Sequence, residues 1–259
     1  MKIIKVEDTP FYELPHRTSG RKGACCKSVI PFYKVYVDIM PEGVTSFVAA
    51  SDLQGREVSK DNRLLGVAVA DVLSELIQQG TLLDIDFALL MGDFYDYPDL
   101  RKLGGTGDVT EVWNTFALHF NNVIGVHGNH DIVNDSLYSD EINILDGTII
   151  EYKTIDIAGI CGIIGDPKRN QRKSSEDFLK YLNQILNMRP DILLLHQGPE
   201  DPINLQRGHP SIWKCLEAKG EILVFFGHSH WDLPFVSCNG IQMLNTDKRV
   251  YVFEKYIEQ

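Results

Sequence analysis

Five short segments of this chain carry side chains able to hold a metal ion, and each follows a run of apolar residues. They are SDLQG at residues 51–55 (Asp52, Gln54), GDFYD at 92–96 (Asp93, Asp96), GNHD at 128–131 (Asn129, His130, Asp131), LLLHQG at 193–198 (His196) and GHSH at 227–230 (His228, His230). One such residue alone means little: an Asp after a strand is commonly a turn former or a helix cap, and a lone His is commonly a satisfied core residue. Five together are a different matter, because ligands of open α/β sheets bind beyond the carboxyl ends of the strands, where residues scattered in sequence converge. The inventory mixes carboxylate, amide and imidazole donors. That suits Mn²⁺, Fe or Zn²⁺ better than Ca²⁺, which takes oxygen ligands alone. It also exceeds what one tetrahedral ion can use. Two ions roughly 3.5–4 Å apart, sharing one carboxylate, would employ the whole set, and such pairs clamp the attacking and leaving oxygens of phosphoryl transfer.

The elements that must position these residues follow from periodicity. Residues 33–40 alternate as a strand does, and 46–51, 85–91, 123–126, 192–195 and 222–226 are short apolar runs that read as buried strands. Two or three further short strands fit between 148 and 164, and a last one at 249–253. Helical stripes run through Leu65, Val69, Leu73 and Leu76, ended by Gly80; through Val109, Val112, Trp113, Phe116 and Phe120; and through Phe178, Leu182, Ile185 and Leu186, capped by Ser174 or Ser175. Pro210 opens a short helix, and Asn239-Gly240 marks a two-residue hairpin. Residues 1–32, interrupted by Pro10, Pro15, Pro31, Gly20 and Gly23, are expected to be irregular, with the basic run from Arg17 to Lys27 a solvated loop. Residues 97–108 read as a loop. Strands and helices alternate early and hairpins dominate late, which predicts a layered α/β sandwich with mixed sheets.

The order of these motifs, SDLQ, GDFYD, GNHD, LLLH and GHSH, resembles that of the calcineurin-like metallophosphoesterases, over about residues 51–230. The resemblance implies a four-layer α/β/β/α sandwich, a single domain over residues 1–259 with C-terminal hairpin strands at 234–254, and a metal site at the C-terminal ends of the strands. It implies two divalent metal ions, Mn²⁺ first among Mn²⁺, Fe, Zn²⁺ and Mg²⁺. Asp93 would bridge them, Asp52, Gln54 and His230 would complete the first site, and Asn129, His196 and His228 the second. His130 would be the general acid, oriented by Asp96, and a hydroxide bridging the two ions would hydrolyse a phosphate mono- or diester. The chain departs from the family pattern at Gln54, where a histidine is usual; an amide oxygen is the harder and weaker donor for Zn²⁺. Candidate substrate contacts are Arg56, Lys168 and Arg169, the last two within the basic stretch GDPKRNQRK at 165–173.

Composition limits the alternatives. The chain of 259 residues carries a net charge of −11 and is 44% hydrophobic, an ordinary globular make-up. The acidic balance argues against extended duplex nucleic acid, while leaving short or single-stranded ends open to a nuclease. No apolar run approaches the roughly 20 residues of a membrane helix. The start, MKIIKVEDTPFYELPH, lacks the apolar stretch of a signal peptide, so a cytoplasmic location is expected. The five cysteines form no CxxC and read as reduced thiols. A catalytically inactive scaffold for protein binding is the rival from another class, kept open by Gln54; retention of His130 and Asp96 argues against it.

Overall fold

The computed structural model describes residues 1–20, 24–102 and 104–257. Two mixed sheets face each other, with a pair of helices over the outer face of each. The first sheet runs in the order Ile142–Ile144, Val123–Gly125, Phe87–Leu90, Ser46–Ser51, Arg249–Lys255, Cys25–Val37, Tyr12–Ser19, Arg56–Glu57, with Ile3–Val6 also paired to Cys25–Val37. The second runs Thr148–Tyr152, Ile155–Ile160, Ile192–Gln197, Ile222–Gly227, Ile241–Asn245, Phe235–Cys238. Helices α1 (Leu65–Gln78) and α2 (Thr110–His119) cover the first sheet; α3 (Ser175–Asn187) and α4 (Pro210–Glu217) cover the second.

The period-2 geometry of a strand explains the four layers. In Ser46–Ser51, Val48 and Ala50 pack under α1 and α2, while Phe47 and Ala49 enter the space between the sheets. In Ile192–Gln197, Ile192 and Leu194 face that same space, and Leu193 and Leu195 face α3 and α4. Both faces of these central strands are buried, so they read as unbroken apolar runs rather than alternating ones. Ser174 caps α3 by accepting from Asp177 N at 3.1 Å, and Pro210 opens α4. The Asn239-Gly240 turn has φ of 51° and 85°, as a tight hairpin turn requires.

Two expectations are corrected. Residues 1–32 are not irregular, for Ile3–Val6, Tyr12–Ser19 and the first part of Cys25–Val37 are strands. Pro15 is tolerated because Tyr12–Ser19 lies near the sheet edge, where only His16 and Arg17 pair outward, with Glu57 and Arg56. Arg17 and Lys27 are paired residues of those strands, whereas Arg21 and Lys22, the middle of the basic run, lie outside the described residues. The last strand is also not part of the C-terminal hairpin. Arg249–Lys255 crosses to the first sheet, parallel to Cys25–Val37 and antiparallel to Ser46–Ser51. Among the described residues no helix is long and apolar enough to cross a membrane.

The intersheet space is held by stacked aromatics: Phe47 lies with its ring centroid 4.2 Å from Phe253 and 4.8 Å from Phe87. Phe253→Ala should cost about 3–5 kcal/mol, the usual range for emptying a fully packed aromatic site. Urea unfolding should show a lower midpoint at an unchanged m-value.

Candidate metal centre

The four parallel strands from Ser46–Ser51 to Ile142–Ile144 and the parallel strands of the second sheet end at one shared edge, and the motif residues follow directly. Three of them leave the strand in the left-handed region, Asp52 at φ 53°, Asp93 at 58° and His228 at 65°. Such backbone is costly for a residue with a Cβ and persists where the surroundings over-determine it. The surroundings here include two close approaches. A Cβ on Gly128 would stand 2.1 Å from Asp93 Oδ1, and one on Gly227 would stand 2.0 Å from Asp52 Oδ2, so the glycines of GNHD and GHSH make room for the carboxylates.

Asp93, His196 and His228 offer ligand atoms that all lie within 4.8 Å of one another. His196 Nε2 is 3.3 Å from Asp93 Oδ2, and its Nδ1 contacts the Met91 carbonyl at 2.7 Å. A carbonyl only accepts, so the proton sits on Nδ1 when the ring is neutral and the Nε2 lone pair is turned toward the cluster. Against its complete burial, His196 is raised to about 10 by the Asp93 carboxylate, and Asp93 is correspondingly lowered. Burial, together with the charges of Asp247 and Asp93, pushes Asp52 up to about 8. His228 is lowered to about 4 by burial and by His196. Asp52 Oδ2 accepts from Ser51 Oγ at 2.7 Å and from the His228 backbone N–H at 2.9 Å, which ties the first sheet to the second.

The model of the calcineurin-like phosphoesterase family matches residues 45–232. The chain belongs to that family. Among solved structures it is similar to a protein of unknown function from Aquifex aeolicus, at 18% identity over 80% of this chain and 95% of that one, with a TM-score of 0.37. It is similar as well to a phosphopantetheinyl hydrolase from Mycobacterium tuberculosis, at 12% identity over 82% and 88%, TM-score 0.45. A hypothetical protein from Thermus thermophilus aligns at 12% identity over 81% and 75%, TM-score 0.43. No curated protein matches the chain.

The residues fit the divalent metal that calcineurin-like phosphoesterases use to hydrolyse phosphoesters. Asn129 is 5% exposed and its Oδ1 is buried without a hydrogen-bond partner, while buried His196 Nε2 faces only the Asp93 carboxylate at 3.3 Å. An orphaned buried acceptor such as Asn129 Oδ1 is rare in a folded protein, and an ion at the cluster would satisfy it. Of the residues expected at the second site, Asp93, His196 and His228 cluster, and Asn129, next in sequence to His130, has an unpartnered Oδ1. The first site is less complete. Asp52 is in place, but no described hydrogen bond joins Gln54 to the cluster, and its side-chain nitrogen is buried without an acceptor. His230 has a side chain 56% exposed, and its Nδ1 contacts Asp247 Oδ2 at 2.8 Å.

Other expectations are corrected. Asp96 does not touch His130: its Oδ1 accepts from Tyr97 N at 2.8 Å and Ser19 Oγ at 3.4 Å, and burial raises its pKa. His130 Nδ1 instead contacts Thr106 Oγ1 at 3.2 Å, from the Gly-rich loop before the short strand Gly107–Asp108. Arg56 is not a substrate contact. It is 8% exposed, and its guanidinium donates through Nε and Nη2 to the Asp96 carbonyl and through Nη1 to the Asn62 carbonyl, so it fastens one motif loop to the next. Lys168 is exposed, and the cavity that His130 lines includes Arg169 and not Lys168. Asp131 proves to be a clamp, accepting from the backbone N–H groups of Asp93, Phe94 and Gly128 at 2.8–2.9 Å.

A metal ligand must be deprotonated, so ion uptake is coupled to proton release. With Asp52 at about 8 and His196 at about 10, both hold protons at pH 7 before metal is added. Mn²⁺ uptake at pH 7 should release up to about two protons and weaken as the pH falls. Calorimetry in two buffers of different ionisation enthalpy measures that number, and uptake without proton release would contradict the assignment of these ligands.

Proposed function

We propose that this protein hydrolyses phosphate esters at a dinuclear divalent-metal centre, with Mn²⁺ the first ion to test. The observation that carries this reading is the convergence of Asp93, His196 and His228, with the orphaned Asn129 Oδ1, at the shared edge of the two sheets. When bound, the ions supply the positive charge that activates a water and neutralises the phosphoryl oxygens.

The substrate side is a cavity of about 300 Å³ lined by Thr106, Asn129, His130, Arg169, Asn170 and Arg172. Asn170 fastens this wall to the GNHD loop, donating from Nδ2 to the carbonyls of Asn129 at 3.1 Å and Asp131 at 2.9 Å. Neither Arg169 nor Arg172 forms an ion pair among the described residues, and Arg172 Nε is buried without a hydrogen-bond partner. An unpaired guanidinium beside a metal centre is a donor fork waiting for an oxyanion. Two of them match a monoester dianion better than a diester monoanion, so monoesters are the favoured class. His130 shares the cavity and donates the proton to the departing oxygen; Thr106 holds its ring.

Metal-free protein reconstituted with Mn²⁺ should hydrolyse a generic monoester faster than a diester of the same leaving group. Asp93→Asn should lose most of the metal and nearly all of the activity, and Arg172→Gln should shrink the monoester preference. Absence of metal-dependent hydrolysis across monoesters, diesters, cyclic nucleotides and short oligonucleotides would overturn the reading.

His130→Ala should lower turnover by roughly 10²–10⁴-fold, the usual worth of a general acid. The loss should diminish with substrates whose leaving groups need no proton, and an equal loss across a leaving-group series would assign His130 to phosphate binding instead. Asp96→Asn should cost far less than His130→Ala.

A further inference from the structure

Asp247 lies outside every motif of the sequence, yet the fold lays it against the first of them. It sits in the turn between Ile241–Asn245 and Arg249–Lys255 and is 5% exposed. It forms a parallel bridge with Ser51, the Lys248 N–H donates to the Ser51 carbonyl at 3.3 Å, and Thr246 Oγ1 donates to Ser51 Oγ at 2.9 Å. Ser51 Oγ in turn donates to Asp52. On its other side, Asp247 Oδ2 lies 2.8 Å from His230 Nδ1. A carboxylate only accepts, so in the neutral ring the imidazole proton is on Nδ1 and Nε2 carries the lone pair. That lone pair faces a donor, Arg249 Nη2 at 3.4 Å, and an ion bound at Nε2 takes the place of this contact. Trp231, fully buried and donating from Nε1 to the Arg207 carbonyl at 2.6 Å, fixes the backbone on which His230 stands.

We propose that Asp247 is a positioning residue of the first metal site, holding His230 with Nε2 as its ligand atom and adding negative charge beside Asp52 to compensate for the neutral amide at Gln54. The proposal rests on the dinuclear reading above. Carboxylates that receive the second ring proton of a metal-bound histidine fix its tautomer and raise its basicity, and their loss typically weakens metal binding about 10–100-fold. A site with a weak donor at position 54 gains most from such a partner.

The test titrates the metal-free full-length protein with Mn²⁺, counting free ion by electron paramagnetic resonance and heat by calorimetry. Natural protein should bind two ions. Asp247→Asn should weaken one of them about 10–100-fold and leave the other unchanged. His230→Ala should weaken the same ion, and adding Asp247→Asn to it should cost little more, because the two act as one unit. Asp247→Glu keeps the charge and should recover part of the affinity; it also serves if Asp247→Asn fails to fold. Two ions bound as tightly by Asp247→Asn as by the natural protein, or losses that simply add in the double variant, would overturn the role of Asp247 alone. One ion bound by the natural protein would overturn the dinuclear reading as well.

Discussion

Four carboxylates are almost wholly buried at the mouth between the two sheets: Asp52, Asp93, Asp131 and Asp247. Like charges out of water repel strongly, and the structure depends on what meets each of them. Asp131 is met by three backbone N–H groups, and even so burial and the Asp93 charge push it up to about 6. Asp93 is met by His196, and Asp247 by His230. Asp52 receives a hydroxyl and one N–H but no cation, and it is raised furthest of the acids. A fold that buries so much negative charge at one edge is built around positive charge, and a divalent ion is the most compact form in which to supply it.

The scaffold makes that burial tolerable by fixing the backbone before the ligands are placed. Strand cores apolar on both faces end abruptly, and the chain turns through left-handed conformations at Asp52, Asp93 and His228 that put each side chain into the gap between the sheets. Asp131 then locks the GDFYD loop to the GNHD loop, and Arg56 locks the SDLQG loop to the Asp96 carbonyl. These contacts hold loops to one another through main-chain atoms, so the ligand side chains are left with few other partners. That division of labour accounts for Asn129 Oδ1, buried and without a hydrogen bond.

Most of this architecture was legible in the sequence, because long apolar runs and helical stripes are strong local signals. The three N-terminal strands were not, since Tyr12–Ser19 and the start of Cys25–Val37 carry polar residues, two prolines and an exposed surface, and they are strands through pairing that no local pattern encodes. The cluster of Asp93, His196 and His228 was legible from motif spacing because each residue lies at or just past the end of a strong strand. Arg56 was misread for a physical reason: a guanidinium near a motif looks like an anion contact until its partners prove to be backbone carbonyls. Asp247 had no local signal at all. Its approach to Ser51 depends on the crossover that returns the last strand to the first sheet, which no nearby residue encodes.

The exchange of Asp96 for Thr106 beside His130 alters the chemistry available there. A carboxylate partner would add negative charge and favour a protonated ring whether or not substrate were present. A hydroxyl adds no charge and can donate or accept, so it orients the ring without deciding its protonation. The carboxylate nearest this residue is Asp93, whose Oδ1 accepts from the His130 backbone N–H at 2.8 Å, so the ring itself is left to face the cavity that Arg169 and Arg172 share. In the reading proposed above, Thr106 orients the ring toward the cavity without placing a further anion where a phosphate would sit.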